Sequence, residues 1–264
     1  MNENEVHYNP YIPPYAGFCK LTLNDGSTVE LEGSGELTSA MTSAYSATVV
    51  SAEIGTQCTS IGNRTFYHCS GLTSVTIDND VTSIGDGTFD GCSGLTSIDI
   101  PNEVISIGMS AFNQCKSLTN VTIPDNVTTI GAGAFNSCSS LTSVAIGNSV
   151  LSIGGNAFGS CSSLTSVTIG NSVLSIGGQA FIGCTRLISI DIPNEVISIG
   201  DQAFYYCTGL AKITVEATTP PTLGSNTFNN TNDCPIYIPS VSVNAYKSAS
   251  GWSTYADRIQ AIQQ

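Results

Sequence analysis

Apolar positions recur along this chain with a fixed step of 23 residues. Phenylalanine stands at 66, 89, 112, 135, 158, 181 and 204, and cysteine follows three residues after each, at 69, 92, 115, 138, 161, 184 and 207. Between them run Leu72, Val75, Ile77, Val81, Ile84 and Gly85, repeated at the same spacing through Leu187, Ile190, Ile192, Val196, Ile199 and Gly200. Residues 141–155 return as residues 164–178 with one change, Ala145 becoming Thr168. A unit this short has no second layer to cover its own apolar face, so neighbouring units must stack into a solenoid around one continuous core.

Within each unit the spacing Leu-x-x-Val-x-Ile alternates as a strand does, which places Val75 and Ile77 inward and Ser74, Thr76 and Asp78 outward. Equivalent strands one repeat apart stack in parallel. The other half, Ile-Gly-x-x-x-Phe-x-x-Cys, brings the chain back over the opposite side, with Phe as the large plug between layers. The glycine after the Ile is expected in a backbone conformation that a side chain forbids. The block 97–108 recurs as 189–200, four repeats later, the mark of duplicated multi-repeat blocks.

The pattern sets the remaining boundaries. Residues 1–17, with Tyr8, Pro10, Tyr11, Pro13, Pro14 and Tyr15, show neither period and read as an extended arm. In the N-terminal cap, residues 18–48, two alternating runs flank Asn24-Asp25-Gly26 and predict a hairpin; a short helix is expected over Leu37–Tyr45, with Ser34 and Thr38 as possible caps. The solenoid runs over 49–238. Its pattern loosens after Cys207, where residues 218–224 replace the usual return and Phe228 arrives one residue late, before Ile236-Tyr237-Ile238 restores a strand. Residues 239–264 read as a C-terminal cap: a helix from Ser240 through Ala249, then Trp252, then helical spacing across residues 253–262.

Charge narrows the function. Apolar residues make up 41% and charged residues 10% of the chain, enough for a core, while the longest apolar runs fall far short of the ~18 residues of a membrane span. A net charge of -13 with only seven Lys and Arg argues against nucleic acid and anionic membrane surfaces as partners. Residues 126–185 hold no Asp, Glu, Lys or Arg, so contacts there rest on hydrogen bonds and apolar groups. The acidic start Met1-Asn2-Glu3-Asn4-Glu5, followed by no apolar stretch, is not a secretory leader.

The motif Leu-x-x-Ile-x-Ile-Pro-x-x-Val-x-x-Ile-Gly-x-x-Ala-Phe-x-x-Cys resembles the BspA-like leucine-rich repeats of bacterial surface proteins. Pro101, Pro124 and Pro193 fill that family's proline position, and Asp78, Gly147 and Gly170 depart from it. The resemblance covers about residues 49–238. It implies a leucine-rich-repeat horseshoe with a parallel β-sheet on its concave face, and a cell-surface or secreted protein that attaches to host matrix, other cells or other proteins. Similar arrays are attached to phage tail proteins, which makes a virion-borne receptor-binding or decoration module the alternative.

Candidate chemistry is sparse. Seven of the ten cysteines hold one repeat position, with no Cys-x-x-Cys or Cys-x-x-His pair, and in a parallel stack their Cβ vectors do not converge as a disulfide requires. They read as buried thiols acting as small hydrophobes; Cys58 stands where other repeats have Val, and Cys19 and Cys234 belong to opposite caps. The two histidines, His7 and His68, lie in the arm and at a variable position, so no nucleophile-histidine pair is expected. Asp78-Asn79-Asp80 lacks the glycine and distal glutamate of a calcium loop, and Gly85-Asp86-Gly87 lacks the lysine of a phosphate loop. No catalytic residue, cofactor or metal is expected.

What remains is surface. The outward strand positions are small and hydroxylated, and solenoid concave faces are the usual binding surfaces. Contact is expected at Asn120, Thr122, Ser143, Ser166 and Thr168, bordered by Asp99 and Asp191, with a protein or glycan on a host or neighbouring cell as partner. A flat Ser/Thr array also suits an ice or crystal face, but Asp99, Pro101, Ala145 and Asp191 interrupt it.

Overall fold

In the computed structural model, residues 14–263 are described; residues 1–13 of the expected arm lie outside them. The hairpin forms as β1 (Cys19–Leu23) and β2 (Thr28–Leu31), paired antiparallel. Strand β3 (Gly35–Leu37) leads into α1 (Ser39–Thr42), which tightens into a 3-10 turn over Ser43–Tyr45. Thr38 occupies the N-cap, but its side chain makes no capping hydrogen bond. Strand β4 (Val49–Ile54) pairs with β1 on one side, so the hairpin covers the open end of the first repeat.

From β4 onward most repeats, here called rungs, carry two strands, and the rung of residues 95–108 carries one. The chain continues through β5 (Cys58–Ile61), β6 (Ser74–Ile77), β7 (Ser83–Ile84), β8 (Ser106–Ile107), β9 (Asn120–Ile123), β10 (Thr129–Ile130), β11 (Ser143–Ile146), β12 (Ser152–Ile153) and β13 (Ser166–Thr168). It then adds β14 (Ser175–Ile176), β15 (Ser189–Ile192), β16 (Ser198–Ile199), β17 (Lys212–Val215), β18 (Thr222–Leu223) and β19 (Ile236–Ile238). The expected strand from Leu-x-x-Val-x-Ile forms the first face, with sheets β2-β1-β4-β6, β9-β11-β13 and β15-β17-β19 plus one further strand. A second, continuous nine-stranded sheet, β3-β5-β7-β8-β10-β12-β14-β16-β18, was not anticipated. Its strands are mostly two residues long, drawn from the Ser-Ile before each glycine, and both faces pair parallel with equivalent residues opposite one another, as in Ser143↔Ser166 and Ser152↔Ser175.

The return half closes a third side. Alternate residues around each Phe donate main-chain hydrogen bonds to the next rung, as Arg64 N to Asp86 O at 2.8 Å, Phe66 N to Thr88 O at 2.8 Å and His68 N to Asp90 O at 2.7 Å. The turns that allow this put residues two before and two after the Phe in the left-handed region, non-glycines included: Arg64 (φ 56), His68 (φ 57), Ser110 (φ 53) and Gln114 (φ 57). The glycine after each Ile does not serve the torsional role expected of it. Gly108 and Gly131 are not at positive φ; a Cβ on either would lie 2.5 Å from the main chain of the preceding rung. Close approach of backbone to backbone, not torsion, requires glycine there.

The core is a single column. The phenylalanine rings from Phe66 to Phe228 stack one on the next with centroids 5.0–5.6 Å apart, beside fully buried Leu, Val, Ile and Cys rows. That step is close to the ~4.8 Å spacing of paired strands, so rings and strands advance together from rung to rung. Where the residue before Phe is Thr rather than Ala, its buried hydroxyl donates to glycine carbonyls, as Thr88 Oγ1 to Gly85 O at 2.8 Å.

The far end closes differently from expectation. A 3-10 turn over Ser240–Ser242 and α2 (Val243–Ser248) are followed by a 3-10 helix over Trp252–Arg258. The chain then leaves helical geometry: β20 (Ile259–Ala261) pairs parallel with β19 and adds a rung to the first face. The apolar spacing of three and four that suggested a helix there serves a turn followed by a strand. Trp252 and Tyr255 pack on Phe228, the last ring of the column, at 5.7 and 5.6 Å. Hydrogen bonds fix the cap in place: Trp252 Nε1 to Pro221 O at 2.7 Å, Tyr246 OH to Ala217 O at 2.8 Å, and Arg258 Nε to Cys234 O at 2.9 Å.

Candidate binding face

Strands β9, β11 and β13 hold five of the seven expected contact residues in one patch. The parallel register sets Ser143 between Asn120 and Ser166, and Ala145 between Thr122 and Thr168. Ser143 is half-buried and the other four are exposed, because alternation sends Val121 and Val144 inward and these residues outward. Beyond the strand ends the patch falls into a trough of about 420 Å³ crossing three rungs, lined by Thr122, Ala145 and Thr168 with Asp125, Asn148 and Asn171 along its rim. The rim is internally tied, since Asn148 N donates to Asp125 Oδ1 at 2.7 Å and Asn171 N to Asn148 Oδ1 at 3.2 Å. Gly147 and Gly170 stand in its floor where other rungs have proline.

Asp99 and Asp191 lie on the rungs before and after the patch, and both are exposed. Their surroundings differ although the local sequence Ser-Ile-Asp-Ile is the same. Around Asp191, β15 is a paired strand and the carboxylate stands 4.0 Å from Lys212 Nζ on the next rung. Around Asp99, residues 95–100 make no strand ladder, and the neighbours at the equivalent position are Thr76 and Thr122, without a cation. At the N-terminal end Lys20 Nζ meets Glu53 Oε1 at 2.9 Å, and this carboxylate raises the lysine pKa. The Lys20–Glu53 pair thus lies on the N-terminal side of the patch and the Lys212–Asp191 pair on its C-terminal side, with the Asp99 carboxylate between the first pair and the patch. Lys20–Glu53 escaped sequence reasoning because it depends on the hairpin pairing back onto β4.

A row of threonines beside the patch was also missed. Thr73, Thr96, Thr119, Thr142 and Thr165 each aim Oγ1 at the main-chain carbonyl one rung earlier, as Thr142 to Thr119 O at 2.9 Å. Those hydroxyls are engaged in the fold, which leaves the strand positions as the free hydrogen-bonding groups. The signal was present as Leu-Thr from Leu72-Thr73 through Leu164-Thr165, before Ile188 and Ala211 take the position, but only the stack reveals that each hydroxyl has a partner.

Elsewhere the chemistry is quiet. All ten cysteines are buried free thiols. From Cys92 to Cys207 each Sγ donates to the carbonyl of the Phe one rung earlier, at 3.0–3.2 Å. Burial pushes the thiol pKa up to about 11 at Cys69 and about 12 at Cys161, which makes these two poor nucleophiles. His68 is exposed against Tyr67, and Asp78 Oδ1 accepts from Asp80 N at 3.0 Å in a local turn. Among the described residues, no group of three or more His, Cys, Asp and Glu could hold a metal ion, and no helix is long and apolar enough to cross a membrane.

The family model for the BspA-type leucine-rich repeat region matches residues 42–162 and 128–250, in six copies. The chain belongs to this family. Its BspA-type fold is similar to a leucine-rich repeat protein from Bacteroides ovatus, at 24% identity over 95% of this chain and 68% of that one, with a TM-score of 0.58. It is also similar to the leucine-rich repeat protein of T. pallidum, at 24% identity over 78% of this chain and 80% of that one, with a TM-score of 0.50. A leucine-rich cell surface protein from Faecalibacterium prausnitzii matches at 22% identity over 85% and 88% of the two chains, with a TM-score of 0.46. No curated protein matches in sequence.

Proposed function

We propose that this BspA-type chain is a non-catalytic binding module, working at a cell surface or outside the cell, that takes a protein or glycan partner on the face of β9, β11 and β13. The observation that carries the reading is the contiguity of Asn120, Thr122, Ser143, Ser166 and Thr168 on an uncharged stretch of regular sheet. Small side chains let a partner approach the sheet closely, and equivalent groups repeat every ~4.8 Å, which favours an extended ligand. A solenoid that shows a repeated polar surface beside a trough, with its thiols buried, has the parts for recognition.

The test begins with a screen of matrix proteins, glycans and whole cells. Ser143→Arg and Ser166→Arg should abolish binding of whatever partner emerges while the melting temperature stays close to that of the parent. Asn136→Arg, on the opposite side, is the control. Gln179 is unsuitable for that purpose because its amide bridges Asn156 and Gln202. Binding that survives both arginines but is lost on changing Trp252 or the segment around Tyr11 would move the site off the sheet and reduce the array to a spacer.

A further inference from the structure

The second sheet carries a feature that the binding face does not use. The residue ahead of each short strand donates its N–H to the equivalent carbonyl one rung earlier, at 2.8–2.9 Å, in an unbroken line from Ile105 through Thr128, Leu151 and Leu174 to Ile197, with Pro221 at the equivalent position of the next rung. Three consecutive rungs of this line show large aliphatic side chains to solvent: Leu151 is 46%, Leu174 39% and Ile197 65% exposed, and Ile105 adds 53% at one end. Thr128, within the line, does not make it polar, since its Oγ1 donates back to the carbonyl of Ile105. The result is an apolar ridge along the solenoid axis.

We infer that this ridge is the contact between two copies of the chain, packed antiparallel about a two-fold axis passing between Leu151 and Leu174. Two observations select a second copy. First, two copies with a net charge of -13 each repel least where the facing surfaces carry no charge, and Leu151 and Leu174 lie within residues 126–185, which have none. Second, a ridge matches another of identical step without accumulating register error, and a two-fold axis makes one patch complement itself. In the antiparallel arrangement Leu151 faces the second copy's Leu174, and Ile197 faces Thr128. The carboxylates beside the ridge then meet neutral groups: Glu195 opposes Asn126 and Glu103 opposes Thr219. The ridge is narrow compared with the roughly 800 Å² per partner of a standard interface, so the pair forms only at high local concentration.

Sedimentation equilibrium of the full chain from about 10 µM to about 1 mM should show the mass rising toward twice the monomer. Raising the salt should strengthen the association by screening the acidic repulsion, whereas a contact held by ion pairs would weaken. Leu174→Lys alone and Leu151→Glu alone should each weaken it at least ~10-fold, with unchanged circular dichroism and melting because both side chains are exposed. Mixing the two variants should restore association, since the antiparallel register sets the new Glu against the new Lys. A single monomer mass over the whole range, or association that neither substitution touches, or a mixture no stronger than its components, would each overturn the inference. None of these outcomes bears on the strand face, whose test reads a different ligand.

Discussion

Removing one ring from the phenylalanine column is the sharpest test of how this fold is held. Phe135 is fully buried, 5.0 Å from the ring of Phe112 and 5.3 Å from that of Phe158. Phe135→Ala should cost ~3–5 kcal/mol, the transfer and cavity terms of a large buried aromatic. Cys138→Ala, at an equally buried position in the same rung, removes one sulfur and its hydrogen bond to Phe112 O and should cost only ~1–2 kcal/mol. Position along the column gives a second reading. Phe135→Ala combined with Phe158→Ala removes one stacked contact twice over, so the pair should be less than additive by ~0.5–1.5 kcal/mol. Phe135→Ala combined with Phe204→Ala, three rungs apart, should be additive. Urea denaturation followed by far-ultraviolet circular dichroism measures the array, and fluorescence of Trp252 measures its C-terminal end. Equal costs for Phe135 and Cys138, or coupling as strong at three rungs as at one, would refute a column held by nearest-neighbour packing.

Three further outcomes follow from the same geometry. The thiols have native pKa values of about 11 and about 12 at Cys69 and Cys161 against an ordinary 9.0, so above about pH 9 the unfolded chain loses protons that the native chain keeps. Stability should therefore be full below that pH and fall by about 1.4 kcal/mol per pH unit for each such thiol up to about pH 11; a Cys138→Ala, Cys161→Ala double variant should show a shallower slope, and an identical slope would place the loss elsewhere. Gly131→Ala sets a Cβ 2.5 Å from the neighbouring main chain and should destabilise by more than ~2 kcal/mol, whereas Gly71→Ala, with 3.4 Å to its nearest neighbour, should change the urea midpoint little. Deleting residues 240–264 strips Trp252 and Tyr255 from Phe228 and frees the edge of β19; the truncated chain should aggregate, and a monomer that melts like the parent would show the cap to be an appendage.

How much of this was legible depended on how far the cause lay from the residue. The period, the inward Val and Ile rows, the ring column and the hairpin are local patterns and could be read directly. The second sheet could not, because a strand of two residues is too short to alternate and its Ser-Ile signal is absorbed into the longer Val-x-x-Ile-Gly motif. The glycine was identified but for the wrong reason, since its constraint is a backbone one rung away in space and 23 residues away in sequence. Ser97–Ile100 and Ser189–Ile192 are identical yet only the second joins a ladder, which shows that neighbouring rungs decide pairing. For the binding face, outward orientation followed from alternation, whereas the threonine row and the Lys20–Glu53 pair needed the stack.

Nearly all hydrogen bonds that join one rung to the next lie along the axis of the solenoid, on all three of its sides. A pull on the two ends of such a molecule loads the terminal rung first and opens its bonds one after another, instead of shearing a whole sheet at once. Each opened rung lengthens the chain by 23 residues, about 80 Å when extended, while the remaining rungs keep their shape and their surface. Under tension the protein would yield in equal steps at low force and close again rung by rung, a compliant tether whose extension is counted in repeats.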